Sequence, residues 1–283
     1  MKKLFITLAT FAISLTGMSQ SSKTIQLLEA GTLSRLLTAD EKNKLTDLTI
    51  TGNIDAQDFK CMRDEITHLE KLDLTHTKIE FYSGKNGSTP LTKSNDYPID
   101  ELPQYAFYNY SAGKTSLKTI ALPTSIKAIA FNAFKSCANL QAIIIPDSVT
   151  CIGESAFANC VNMLQVTLPK ALKRIDNSAF INCQQLTTIN LPNALDNIAM
   201  QSFQDCTNLT TLSFGKSIGY IADAAFAFCT SLQTVNCIAT LPPTVANSAF
   251  DLTNIQCISV PKNSSKSYTN HAFWKRYKIC NNN

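Results

Sequence analysis

Ten cysteines and three histidines are the residue types in this 283-residue sequence best suited to chemistry. Cysteine pairs as a disulfide, holds a metal as thiolate or acts as a nucleophile, and spacing decides between these roles. Zinc sites group their ligands as C-x2-4-C or place a histidine close by. Here Cys137, Cys160, Cys183, Cys206 and Cys229 recur at a fixed 23 residues, and His68, His76 and His271 are scattered. No metal and no cofactor is expected from that pattern. Acid–base work would need positioned carboxylates, and the adjacent pairs Asp64/Glu65 and Asp100/Glu101 read as surface charge. The sequence contains no G-x-S-x-G, H-E-x-x-H, G-x-x-x-x-G-K-[ST] or EF-hand loop. The fragments GTLSRLL and SFGKS lack the rest of any such motif. A non-catalytic protein is expected.

The interval of 23 belongs to more than the cysteines. SAFANCVNMLQVTLP (Ser155 to Pro169) returns as SAFINCQQLTTINLP (Ser178 to Pro192). Phe107, Phe134, Phe157, Phe180, Phe203, Phe226 and Phe250 are spaced by 27, 23, 23, 23, 23 and 24 residues. Behind the cysteines follow Leu140, Met163, Leu186, Leu209 and Leu232, then Ile143, Val166, Ile189, Leu212 and Val235. A second apolar set, Ile152, Ile175, Ile198 and Ile221, closes each unit. Such a period, with Leu-x-x-Ile-x-Leu, marks a solenoid in which each coil carries one short parallel strand. One coil cannot bury its apolar face, so coils stack at about 4.8 Å and place like residue over like. The expected fold is therefore a right-handed solenoid of leucine-rich repeats, with a parallel sheet on one face and short turns or strands on the other. The five periodic cysteines form a structural row of buried, small hydrophobic residues. Parallel stacked side chains would have to re-aim to reach disulfide geometry, so free thiols are expected there. Cys237 falls at an inward strand position. Cys61, Cys151, Cys257 and Cys280 are less regular, and a Cys257–Cys280 bridge tying the closing segment is left open.

The line AF-x-x-C-x-x-L-x-x-I-x-L-P…I-x-x-x-A-F, over roughly Ile99 to Phe250, resembles the BspA-like leucine-rich repeats of bacterial cell-surface and secreted proteins. The resemblance implies attachment to host or matrix proteins. LTDLTITGNIDAQDFKCM and LEKLDLTHTKI (Leu45 to Met62, Leu69 to Ile79) look like divergent opening coils of the same kind. Residues 20–80 are assigned to an amino-terminal cap and opening repeats, 81–104 to a long insertion loop, 105–250 to regular repeats and 251–283 to a closing unit. In that unit Tyr268, Trp274, Tyr277 and Ile279 are placed to cover the last coil. A second insertion, of four residues between Asn109 and Ser116, accounts for the interval of 27.

Residues 1–19 have the form of a signal peptide. Lys2 and Lys3 precede the apolar Leu4 to Leu15, with small Gly17 and Ser19 at the cleavage end. No run is long enough for a transmembrane segment. The protein is expected to be exported, at the cell surface or secreted, with a monomer favoured. Net charge is only +4, which does not point to nucleic acid. Outward strand positions of the coils are Thr119/Ala121, Ala142/Ile144, Gln165/Thr167, Thr188/Asn190, Thr211/Ser213 and Thr234/Asn236, none of them charged. They are read either as a recognition face for an extracellular or host protein or glycan, or as a strand surface on which nothing binds. The Phe81–Gln104 loop, with Phe81, Tyr82 and Tyr97, is a second candidate contact. The competing role for the chain is a structural scaffold that binds another envelope component.

Overall fold

The computed structural model describes residues 21–90 and 94–281, so the expected signal segment lies outside the described residues. Each regular coil contributes one strand to a parallel sheet: Thr119–Ala121, Ala142–Ile144, Gln165–Thr167, Thr188–Asn190, Thr211–Phe214 and Thr234–Cys237. Neighbours pair in register, Gln165 with Ala142, Thr188 with Thr211 and Thr211 with Thr234. Two-residue alternation then sends Ile143, Val166, Ile189, Leu212 and Val235 inward, and all five are buried. A second series of two-residue strands carries the closing isoleucines: Ala128–Ile129, Cys151–Ile152, Arg174–Ile175, Asn197–Ile198 and Tyr220–Ile221. Both hydrogen-bonded ladders lapse at one coil boundary, between Gln165–Thr167 and Thr188–Asn190 and between Arg174–Ile175 and Asn197–Ile198.

A third ladder runs through that boundary without a break. Phe157 N–H donates to Ala179 O and Phe180 N–H to Ser202 O, 2.7 and 2.8 Å. The rings from Phe107 to Phe250 stack with centroids 5.1–5.3 Å apart. The turn that presents each ring needs left-handed backbone two residues before and two after it. Ser155 and Asn159, then Ser178 and Asn182, supply it at φ of 55–61°. Short polar side chains tolerate that conformation best. Stacked aromatic pairs add about 0.5–1.5 kcal/mol each beyond their buried area.

The opening coils keep the strands but not the two-residue return. Ser21–Leu27, Leu45–Ile54 and Lys71–Ile79 extend the long-strand sheet. Helices Ala39–Lys44 and Ala56–Asp64 connect them, each starting at a capping box, Thr38 with Glu41 and Asp55 with Asp58. The buried Asp58 carboxylate accepts from the N–H groups of Gly31, Leu33 and Asp55 at 2.7–3.0 Å, and burial pushes its pKa up. Parts of the Phe81–Gln104 segment, expected as a loop, form short strands. Tyr82–Gly84 pairs antiparallel with Asn95–Tyr97, and Glu101–Leu102 is the first strand of the short-strand sheet.

Two buried cations, Arg63 and Lys114, tie the helix Ala56–Asp64 to the chain that follows, Arg63 reaching the insertion at Ser88. Arg63 donates to the carbonyls of Ser88, Tyr105 and Tyr108, and also binds Asp64. Lys114 donates to Arg63 O and Ile66 O at the helix end, and burial pushes its ammonium pKa down to about 8. At the other end Tyr268 and Trp274 are fully buried on the last coil, with Tyr277 and Ile279 packed beside them. Trp274 Nε1 donates to Pro243 O at 2.9 Å, and Tyr268 Oη lies 2.9 Å from Cys237 Sγ. Cys257 and Cys280 are disulfide-bonded, which resolves the alternative that spacing had left open.

Candidate recognition surface

The five periodic thiols occupy one file. Cys160, Cys183, Cys206 and Cys229 each donate to the carbonyl of the phenylalanine one coil earlier, Phe134, Phe157, Phe180 and Phe203, at 3.2–3.4 Å. Cys137 reaches Phe107 O at 3.7 Å. All five are buried and unbridged. Burial pushes Cys137 and Cys183 up to about 12, and Cys160 and Cys206 also upward. A thiol held protonated and out of water is neither nucleophile nor ligand.

The carboxylates singled out for acid–base work are placed in other ways. Asp64 binds Arg63 and Lys60, and Glu65 pairs with Lys42 at 2.6 Å. His68 and His76 are exposed, one just before the strand Lys71–Ile79 and one on it. Among the described residues no group of three or more His, Cys, Asp or Glu stands close enough to hold a metal ion.

The outward strand residues, by contrast, are brought together as the repeat requires. One row runs Thr119, Ala142, Gln165, Thr188, Thr211, Thr234, and the next runs Ala121, Ile144, Thr167, Asn190, Ser213, Asn236. All lie at least partly in water, and Ile144 is 72% exposed. Asn236 Nδ2 donates to Ser213 Oγ at 3.4 Å, a weak link along the row. The row atoms are hydroxyls, amides and methyls, so the face offers hydrogen bonds without a fixed charge.

Both rows continue into the opening coils, where they do become charged. Lys71 pairs in register with Asp47 and Thr119, and Asp73 with Thr49 and Ala121. Lys71 Nζ and Asp47 Oδ1 are 3.3 Å apart. These residues with Thr119 and Ala121 line a shallow trough of about 310 Å³. LEKLDL and LTDLTI fit Leu-x-x-Ile-x-Leu, so the same alternation that gave Thr119 would have found Lys71, Asp73 and Asp47.

The model for the BspA-type leucine-rich repeat region matches in six copies, over residues 100–233 and 151–280. The chain belongs to the BspA-type leucine-rich repeat family. Curated protein sequences give no match. Among solved structures, a Treponema pallidum leucine-rich repeat protein is 26% identical, with 65% of this chain and 79% of that one covered and a TM-score of 0.47. The pneumococcal vaccine antigen PcpA is 18% identical, covers 85% of this chain and has a TM-score of 0.50. A Bacteroides ovatus leucine-rich repeat protein is 15% identical, with 82% of this chain covered and a TM-score of 0.45. The chain spans 63% and 64% of the lengths of the last two. At these values the likeness to PcpA is one of fold. The BspA-type repeat accounts for the buried columns.

Proposed function

We propose that this chain is an exported, non-catalytic binding protein that recognises an extracellular protein or glycan through the exposed rows of its long-strand sheet. The observation that carries this reading is the continuity of the rows. Thr188, Asn190, Thr211, Ser213, Thr234 and Asn236 stand in register on adjacent strands with nothing charged between them. Extended solenoid faces of this kind are commonly used for binding. The signal-like first residues, the family's repeat and the likeness in fold to a protein described as a vaccine antigen support a place outside the cell.

The test is saturable capture, by the protein, of extracellular-matrix and host-surface preparations and, in parallel, of the producing cell's envelope extract. The variant carries lysine at Thr188, Asn190, Thr211 and Ser213 together, with its melting transition as a control for folding. Capture that falls at least about tenfold supports the face. Unchanged capture removes it, and capture only of the producing cell's envelope components favours the scaffold role.

A further inference from the structure

A second concave site lies on the short-strand sheet, where the insertion folds across it. The outer residues of that sheet run Glu101, Ala128, Cys151, Arg174 on four paired strands. With Ala130 and Gly153 between them, small residues make the floor of a groove of about 590 Å³. Asp96, Tyr97 and Pro98 of the insertion line it, as do Gln104, Phe131 and Glu154. At one end Arg174 is committed to Asp176, Nε to Oδ1 2.9 Å. Among the described residues no lysine or arginine pairs with Asp96, Glu101 or Glu154. Glu101 is half-buried with no hydrogen-bond or ionic partner there, and Phe131 remains 37% exposed on the wall.

We propose that this groove binds an organic cation, an ammonium or guanidinium group carried on an aliphatic stem. Four carboxylates against one guanidinium give the groove a strong preference for positive charge. The carboxylates are not gathered closely enough to chelate, because no metal-holding group exists among the described residues. A large, diffuse cation that touches them one at a time meets that spacing better than a small hard ion. The exposed ring of Phe131 adds the face that ammonium and guanidinium groups prefer, and the methyl-sized floor suits a methylene stem. Asp96, Tyr97 and Pro98 of the Phe81–Gln104 insertion close one side of the groove, and residues of the coils form the rest. Desolvation holds the Glu101 carboxyl above its ordinary pKa, a cost that a bound cation would relieve. Since the groove is on the other sheet from the face proposed above, either can fail without the other.

Titration calorimetry with spermidine and with a trilysine peptide tests the proposal, using hexanediol as the uncharged stem. Saturable binding of either cation, silence with hexanediol, and affinity about five- to tenfold lower in both Glu101→Gln and Phe131→Ala are expected. Binding of spermidine alone assigns a free polyamine, and binding of the peptide alone assigns a polypeptide side chain. The melting curve of Glu101→Gln is expected to match the parent, while Phe131→Ala also loses a ring contact with Tyr105 and is titrated below its own melting transition; Glu101→Gln/Glu154→Gln should weaken binding further. No saturable binding, equal affinity in parent and variants, or displacement by equimolar calcium would overturn it.

Discussion

Replacing rings in the phenylalanine column tests whether the coils act as one stacked core. Phe180 is fully buried and stacks on Phe157 at 5.1 Å and Phe203 at 5.2 Å. Phe180→Leu keeps most apolar volume and removes two ring contacts, so it should cost about 1–3 kcal/mol. Phe157→Leu removes two as well, to Phe134 and Phe180. The double variant Phe157→Leu/Phe180→Leu removes only three, because the contact between them is shared. Its cost should therefore fall short of the sum of the singles by one contact, about 0.5–1.5 kcal/mol. Phe157→Leu/Phe203→Leu removes four separate contacts and should be additive within about 0.5 kcal/mol. Urea unfolding followed by Trp274 fluorescence and by far-ultraviolet dichroism gives the six stabilities needed: the parent, the three single variants with Phe203→Leu, and the two doubles. Additivity in both doubles, or a shortfall in the separated pair alone, would refute ring stacking as a term in the solenoid's stability.

Three further outcomes follow from the same geometry. Thiol titration of the folded protein should modify half-buried Cys151 first, slowly because burial pushes its thiol pKa up, with the buried cysteines reacting only in denaturant, where all eight free thiols appear. Rapid reaction of Cys160 or Cys183 in the native state would contradict the buried file. Cys257→Ala/Cys280→Ala, which opens a link across 23 residues, should cost about 3 kcal/mol in non-reducing melts and leave the regular coils' dichroism intact. Asp64 is partly desolvated, but the Arg63 and Lys60 hydrogen bonds more than offset this and hold its carboxyl at about 2. Its folded pKa lies below the unfolded value, so its stabilisation is present above about pH 4. Because Asp64 still faces solvent, which screens its ion pairs, only on the order of 1 kcal/mol should be lost as pH falls from about 4 to 2, and Asp64→Asn should flatten that stretch of the stability profile.

What recurs every 23 residues was legible, because each position is stated repeatedly and stacks on its own copies. The Phe column, the thiol file, the inward isoleucines and the outward threonines are all of this kind. Features that occur once were not. The Asp55/Asp58 capping box is a local helix start, hidden inside a stretch whose Leu and Ile spacing fits a coil. The Tyr82–Gly84 hairpin is held by side chains no turn pattern shows: Arg63 donates to the Ser88 carbonyl, and Tyr97 Oη accepts from Thr89 N–H at 2.9 Å. Lys71 and Asp73 were within reach of the motif but fell outside the regular array. The groove at Glu101 and Phe131 joins residues from the insertion and three coils, and no one-dimensional pattern brings those together. Cys257 and Cys280 pair because their strands are adjacent, Ser259 in register with Cys280, in a closing unit without a repeat to compare.

Distances between outward residues on successive coils measure the stacking itself. Nitroxide labels on Thr119 paired with a label on Gln165, Thr188 or Thr234 span two, three and five coil steps. Pulsed dipolar spectroscopy should return separations that lengthen by roughly 4.8 Å per coil. Separations that do not grow with coil number would contradict the in-register solenoid on which every site described above depends.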